Sequence, residues 1–194
     1  MHPFLRFIRT YYPMQLTDWR IAEKKLSFLE LSKHSILLEE GSICRHLYFL
    51  EEGLLRYYFL KDGLEITKYF TEAPYVFTSQ RSFSLQIPSV DSIQAIEHSK
   101  IWALSFDDVQ ELWGIPAWSQ FARKIINEVQ FYTEEIYADL QTVNAEDRYQ
   151  KMMIEVPDLL QRIPLKYLAS YLGIAPQSLS RIRKKMKAIP PNLT

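Results

Sequence analysis

The stretch "PQSLSRIRKKMK", Pro176 to Lys187, places an amide, hydroxyls and cations at helical spacing. Gln177, Ser178, Ser180, Arg181, Lys184 and Lys185 fall on the outer side of such a helix. Leu179, Ile182 and Met186 fall on the inner side. A glutamine amide can pair with the edge of adenine, and an arginine fork can pair with guanine. Arg183, Lys184, Lys185 and Lys187 carry charge that can neutralise phosphates. This is recognition chemistry, and it needs a support that grips the apolar side of the helix and turns the polar side outward.

The preceding residues can supply that support. With Pro164 at the first helical position, "PLKYLASYL" sets Leu165, Leu168, Ala169 and Leu172 on one face. Gly173 follows where the chain must turn sharply, Ile174 can plug the gap, and Ala175-Pro176 opens the next helix. A small residue at Ala169 lets the two helices approach. This is the pattern of a helix-turn-helix, whose second helix enters the major groove of DNA. A basic helical hairpin with no role on DNA fits the same letters.

Charge is distributed in the same sense. From Arg148 to Thr194 there are nine Lys/Arg and two Asp/Glu, giving +7. The 194-residue chain has 23 of each sign, so the rest carries −7. A basic tail on an acidic body suits a polyanion partner.

Other chemistries lack their residues. A single cysteine, Cys44, excludes a disulfide framework or a four-cysteine cluster within the chain, and reads as a small buried residue. The four histidines, His2, His34, His46 and His98, lie far apart, which speaks against a cupin-type metalloenzyme. No Gly-rich phosphate loop, nucleophile elbow or HExxH is present, so no enzyme and no cofactor are expected. A non-enzymatic ligand-binding or protein-interaction module stays open as the alternative function. No run of about 18 apolar residues predicts a membrane span. The opening "MHPFLRFIRTYYPM" is too broken by charge and proline for a secretion signal. The expectation is a cytoplasmic protein with no membrane partner.

The elements upstream read in three parts. Residues 1–30 have a helical rhythm, with Thr17 and Asp18 as caps for a helix from about Trp19. From Lys33 onward, β-branched, aromatic and leucine residues are cut by Gly41, Gly53 and Gly63 at intervals of 10 to 12. That spacing predicts short strands in a sandwich, jelly roll or barrel. Asp62-Gly63 is a hairpin signal, and further strands are expected at Ile93–Ile96 and Lys100–Ser105. The aromatic residues here, among them Tyr48, Phe49, Tyr57, Tyr69 and Phe77, suit core filling or an effector pocket. After Pro116 the period turns helical. Phe121, Ile125, Val129, Tyr132, Ile136, Leu140 and Val143 are spaced 4, 4, 3, 4, 4 and 3 apart. Packing on the chain's own strands and pairing with a twin helix both fit this stripe.

Strands, long helix and helix-turn-helix, in that order, resemble the Crp/Fnr family of bacterial transcription regulators. "EEGSICRHLYFLEEGLLRYYFLKDGLEITKYF" looks like the family's β-roll, and "LASYLGIAPQSLSRIRKK" like its DNA-reading unit. The resemblance implies an α+β chain. It would comprise a cyclic-nucleotide-binding-like, jelly-roll sensor at 1–115, a dimerisation helix at 116–144 and a helix-turn-helix domain at 145–194. It also implies a homodimer formed through Phe121, Ile125, Val129, Tyr132, Ile136 and Leu140, bound to a two-fold symmetric operator in double-stranded DNA, with a small-molecule effector of unknown kind. Base contacts would fall on Gln177, Ser178 and Arg181.

Two departures follow from the same comparison. The family's Gly-Glu pair is absent: the region reads "YFTEAPYVFTS", where Glu72 precedes Ala73-Pro74. The position of the phosphate-binding arginine falls near Ser89, and the Arg81-Ser82 pair lies too early. A phosphate buried without a cation is strongly disfavoured, so cyclic AMP is not expected as effector. Glu72, Arg81 and Ser89 are the weak ligand-site candidates. Only "AIPPNLT" follows Lys187, which leaves no room for the β-hairpin wing of many members.

Overall fold

The computed structural model describes residues 1–187. The "AIPPNLT" stretch, and with it the expectation about a wing, lies outside the described residues. By their contacts the residues fall into two compact units. One is Met1–Phe59 with Tyr69–Thr133, and the other is Leu60–Lys68 with the chain from Glu134 onward.

The first unit opens with helix α1 (Pro3–Tyr11), capped by the His2 ring, whose Nδ1 accepts from the Phe4 amide at 3.2 Å. Helix α2 (Leu16–Glu23) starts earlier than the sequence suggested. Gln15 is its N-cap, and Thr17 and Asp18 lie in the first turn, where the Asp18 carboxylate suits the positive helix end. Nor does helix continue to residue 30, because Ser27–Leu31 is strand β1. It pairs antiparallel with a strand some seventy positions away, Ser27 opposite Ala103 and Leu31 opposite Ser99. A pairing so remote overrides local rhythm.

The strands that follow are β2 (Ile36–Leu38), β3 (His46–Glu52), β4 (Leu54–Lys61), β5 (Leu64–Glu72) and β6 (Tyr75–Phe77). Helix α3 (Gln80–Leu85) interrupts them before β7 (Ser92–Ala95) and β8 (Ser99–Ser105). They form two four-stranded sheets, in the orders β1-β8-β3-β6 and β2-β7-β4-β5. The chain passes repeatedly from one sheet to the other, which makes a β-roll. Asp62 and Gly63 turn β4 into β5 with φ of 52° and 76°, the positive pair that a tight two-residue hairpin needs. Gly53, between β3 and β4, has φ 111°, and a Cβ there would collide with Ser99, whose Cα would be 2.8 Å away.

Helices α4 (Phe106–Trp113) and α5 (Pro116–Thr142) complete the run. The Ser105 hydroxyl caps α4, accepting from the Asp108 amide at 3.1 Å. One core joins the helices to the sheet. Phe4 stacks on Phe49 with centroids 4.7 Å apart, and Trp19, Trp118 and Phe121 close around them. Cys44 is fully buried in this core. Tyr48, Phe49, Tyr57 and Phe77 are core residues as well, which matches core filling, one of the two roles open to them.

In the second unit, α6 (Ala145–Glu155) is capped by Asn144, whose Oδ1 accepts from the Asp147 amide at 3.0 Å. Then come α7 (Pro157–Arg162), α8 (Leu165–Leu172) and α9 (Pro176–Lys187). Tyr149, Leu160, Ile163, Tyr167, Leu168, Ala169, Leu172 and Leu179 are its buried apolar residues among those described. Arg148 Nη2 donates to the Leu172 carbonyl at 2.7 Å, tying α6 to the end of α8. Pro164 is the N-cap of α8 rather than its first helical residue, with ψ 138°. Leu165 is only half-buried, and Tyr167 takes a place in the core that the sequence did not assign to it.

Candidate nucleic-acid interface

Gly173 makes the arrangement of α8 and α9 possible. Its φ of 71° is a left-handed conformation that costs glycine little, and its amide closes onto the Ala169 and Ser170 carbonyls. The Ile174 amide then donates to Ala169 at 3.0 Å, and α9 begins at Pro176. Leu179 is wholly buried, and Ile182 and Met186 are half-buried beside it. The apolar side of α9 is therefore held.

The opposite side is open. Gln177, Ser180, Arg181 and Lys184 are all exposed. They stand at i, i+3, i+4 and i+7, so they share one face of the helix. Ser178 and Arg183 are half-buried at its flanks. Lys185 is exposed, but its Nζ already meets Glu146 Oε1 at 2.6 Å. That hydrogen bond raises the lysine's affinity for its proton, with the carboxylate charge acting in the same sense. Side-chain placement is described through Met186, so Lys187 stays a sequence-level candidate.

The stripe on α5 divides. Phe121 and Ile125 are 3% and 8% exposed and belong to the chain's own core, so these two residues are committed within the protomer. Val129, Tyr132 and Leu140 are 40%, 54% and 57% exposed, and Ile136 is half-buried. The helix is anchored just before this change. Glu128 Oε1 accepts from the Tyr11 hydroxyl at 3.0 Å and from the Tyr75 hydroxyl at 3.2 Å. Lys124 Nζ donates to the Tyr11 carbonyl at 2.6 Å. Burial first, then the hydrogen bond to Glu128 and its charge, push the Tyr11 phenol up to about 12.

The three ligand-site candidates do not form a group. Glu72 ends β5 and is exposed, Arg81 is exposed on α3, and Ser89 is buried. Around Ser89 lies a polar cluster that the sequence reading missed. Its hydroxyl is 3.0 Å from that of Ser79, donates to the Asp91 carbonyl at 2.7 Å and accepts from the Asp91 amide at 3.1 Å. Ser82 donates to the Ile87 carbonyl and accepts from Cys44, while Ser92 accepts from Glu40. Ser79, Ser82, Ser89, Asp91 and Ser92 are all buried. The rings of Tyr57 and Tyr69 stack 4.2 Å apart, and burial followed by the negative charge of Asp91 raises the pKa of Tyr69. Hydroxyls and a carboxylate stand where the resemblance called for an arginine. The buried cation of this region, Arg56, alternates with Tyr57 along β4 and so points to the other face of that sheet. Its Nε donates to Gln94, and its guanidinium lies 4.1 Å from the Tyr58 ring centroid. An arginine inside "LLRYYFL" was the available signal for it.

Among the described residues, no three His, Cys, Asp or Glu side chains come together as a metal site, and no helix is long and apolar enough to cross a membrane.

Comparison with known proteins adds family and fold. Residues 28–114 match the model of the cyclic nucleotide-binding domain. No curated protein matches the sequence. A transcriptional regulator of the Crp/Fnr family from Eubacterium rectale is similar in structure, with TM-score 0.71 and 16% identity over 92% of this chain and 88% of that one. A CooA mutant from Carboxydothermus hydrogenoformans gives 0.70 and 18% over 86% and 78%. FixK2 from Bradyrhizobium japonicum gives 0.70 and 17% over 84% of each chain. Residues 28–114 thus match the model of the cyclic nucleotide-binding domain, within a chain whose fold is similar to that of solved Crp/Fnr transcription regulators.

Proposed function

We propose that the protein is a sequence-specific DNA-binding transcription regulator that acts as a homodimer on a two-fold symmetric operator. The observation that carries this is the exposed face of α9, where Gln177, Ser180, Arg181 and Lys184 align while Leu179 behind them is buried. The fold shared with regulators supports it. The working division is a sensor roll at 1–115, a pairing helix at 116–144 and a DNA-binding domain at 145–194.

In this reading α9 lies in the major groove. Gln177 pairs with adenine and Arg181 forks onto guanine, while Ser178 and Ser180 bond to bases or phosphates nearby. Arg183, Lys184 and Lys185 neutralise phosphates, so affinity falls as salt rises. Lys185 exchanges Glu146 for a phosphate when it binds. The exposed part of the α5 stripe, Val129, Tyr132, Ile136 and Leu140, pairs with its twin, and symmetry sets the half-sites about one helical turn apart. The roll is not expected to take cyclic AMP, because a serine, Ser89, stands where the resemblance places the phosphate-binding arginine, with the carboxylate residue Asp91 beside it. An effector of another class acts by biasing the hinge at Asn144–Asp147, and it must bind one state more tightly than the other.

Selection from a random duplex library with the ligand-free protein tests the reading. An inverted repeat is the expected product. Salt-sensitive binding without sequence preference removes the ligand-free activity, and no binding at all removes the DNA reading.

A further inference from the structure

Strand β5 lies at the edge of its sheet, with β4 on one side. An edge strand presents alternate backbone groups outward, and proteins cover them by one means or another. Here a side chain does so. The Ser170 hydroxyl accepts from the Thr67 amide at 2.9 Å and donates to the Glu65 carbonyl at 2.9 Å. Glu65 and Thr67 are two apart, so their outward groups point the same way. A hydroxyl is both donor and acceptor, and one serine therefore imitates one residue of a partner strand. Thr67 is buried, only 3% exposed. Ser170 lies on α8, the helix that carries α9, and Leu60–Lys68 belongs to the same compact unit as both helices.

We propose that the tip of the β4–β5 hairpin is a working part of the DNA-reading unit, a clasp that holds α8 through Ser170 and steadies the support of α9. The functional half of this rests on the DNA reading above. Leu179 seats α9 against its support, so any loosening of α8 reaches Gln177 and Arg181 through that contact. The hairpin is continuous with β4 and β5, which gives the unit a covalent connection to the sheet besides α5. An event that loosens the tip would then alter DNA affinity without touching α9.

The test uses the full-length chain, with amide hydrogen exchange resolved at Thr67 and affinity measured for a duplex selected by the wild type. Ser170→Ala removes the hydroxyl, and Ser170→Thr keeps it. Both are first checked for unchanged helix content and cooperative unfolding. In Ser170→Ala, exchange at Thr67 should speed up roughly tenfold and affinity should fall about three- to tenfold, on the scale of one or two lost hydrogen bonds. Ser170→Thr should restore both. Unchanged exchange in Ser170→Ala overturns the clasp. Faster exchange with unchanged affinity overturns its role in reading. A wild type that selects no duplex overturns the DNA reading and that role with it, while the exchange result still decides whether the clasp exists.

Discussion

Single residues divide into those proposed to read DNA and those that hold the fold. Arg181 is exposed at the centre of the open face of α9. Arg181→Ala should cost about 1–3 kcal/mol of operator binding and relax the preference at one base position. Titration of the variant against single-base operator changes checks this, and an equal loss on every sequence would make Arg181 a phosphate contact. Tyr11 is a holding residue. Its pKa, moved from 10.0 to about 12, favours the neutral phenol in the folded state. The stability it adds is therefore complete below the unfolded value of about 10, and is lost as pH rises through about 12. Denaturant unfolding across that range should show a falling midpoint, with a shallower fall for Tyr11→Phe. The slope should not vanish, because Tyr48, Tyr57, Tyr69 and Tyr75 are shifted the same way. The Tyr75 shift arises first from burial and then from the charge of Glu128, so this one carboxylate acts on both phenols that hold it.

Elements show where local sequence suffices. Asp62-Gly63 announced its hairpin because few residues accept positive φ, and Gly173 announced the turn before α9 for the same reason. The α5 stripe was legible as a helix, but its period could not say what covers it. Phe121 and Ile125 meet the chain's own core, and from Val129 much of the stripe is exposed. The two parts should answer differently to substitution. Phe121→Ala should lower stability by about 3–5 kcal/mol without changing oligomeric state. Tyr132→Glu combined with Leu140→Glu should leave stability nearly unchanged and turn a dimer into a monomer. Sedimentation equilibrium separates the outcomes, and a double variant that stays dimeric would move the pairing surface elsewhere. Strand β1 was illegible for another reason: "SFLEL" becomes a strand by pairing with β8, far along the chain. Ser170 was equally hidden, since nothing around it in "YLASYLG" marks a serine that meets a strand edge.

At the scale of the whole molecule, a β-roll that matches the cyclic nucleotide-binding domain model is followed by a helical unit that presents a polar face. The order of parts was legible because each changes the sequence period. The interior of the roll was not, because Ser79, Ser89 and Asp91 are drawn together by the path of the chain around α3. Titration calorimetry with cyclic AMP should show no binding at concentrations that saturate a micromolar site, and the melting temperature should not rise with the nucleotide. Tight binding would overturn the reading that replacing the phosphate-binding arginine by Ser89 abolishes the site.

The grouping of Leu60–Lys68 with the C-terminal helices bears on how such proteins can be rearranged. A unit made from two separate segments cannot be traded between genes by a single crossover. A chimera joined within α5 would receive new helices, yet keep a hairpin tip matched to the old Ser170. Inheritance of α9 and of the tip should therefore be linked, and successful domain swaps should be those that exchange both.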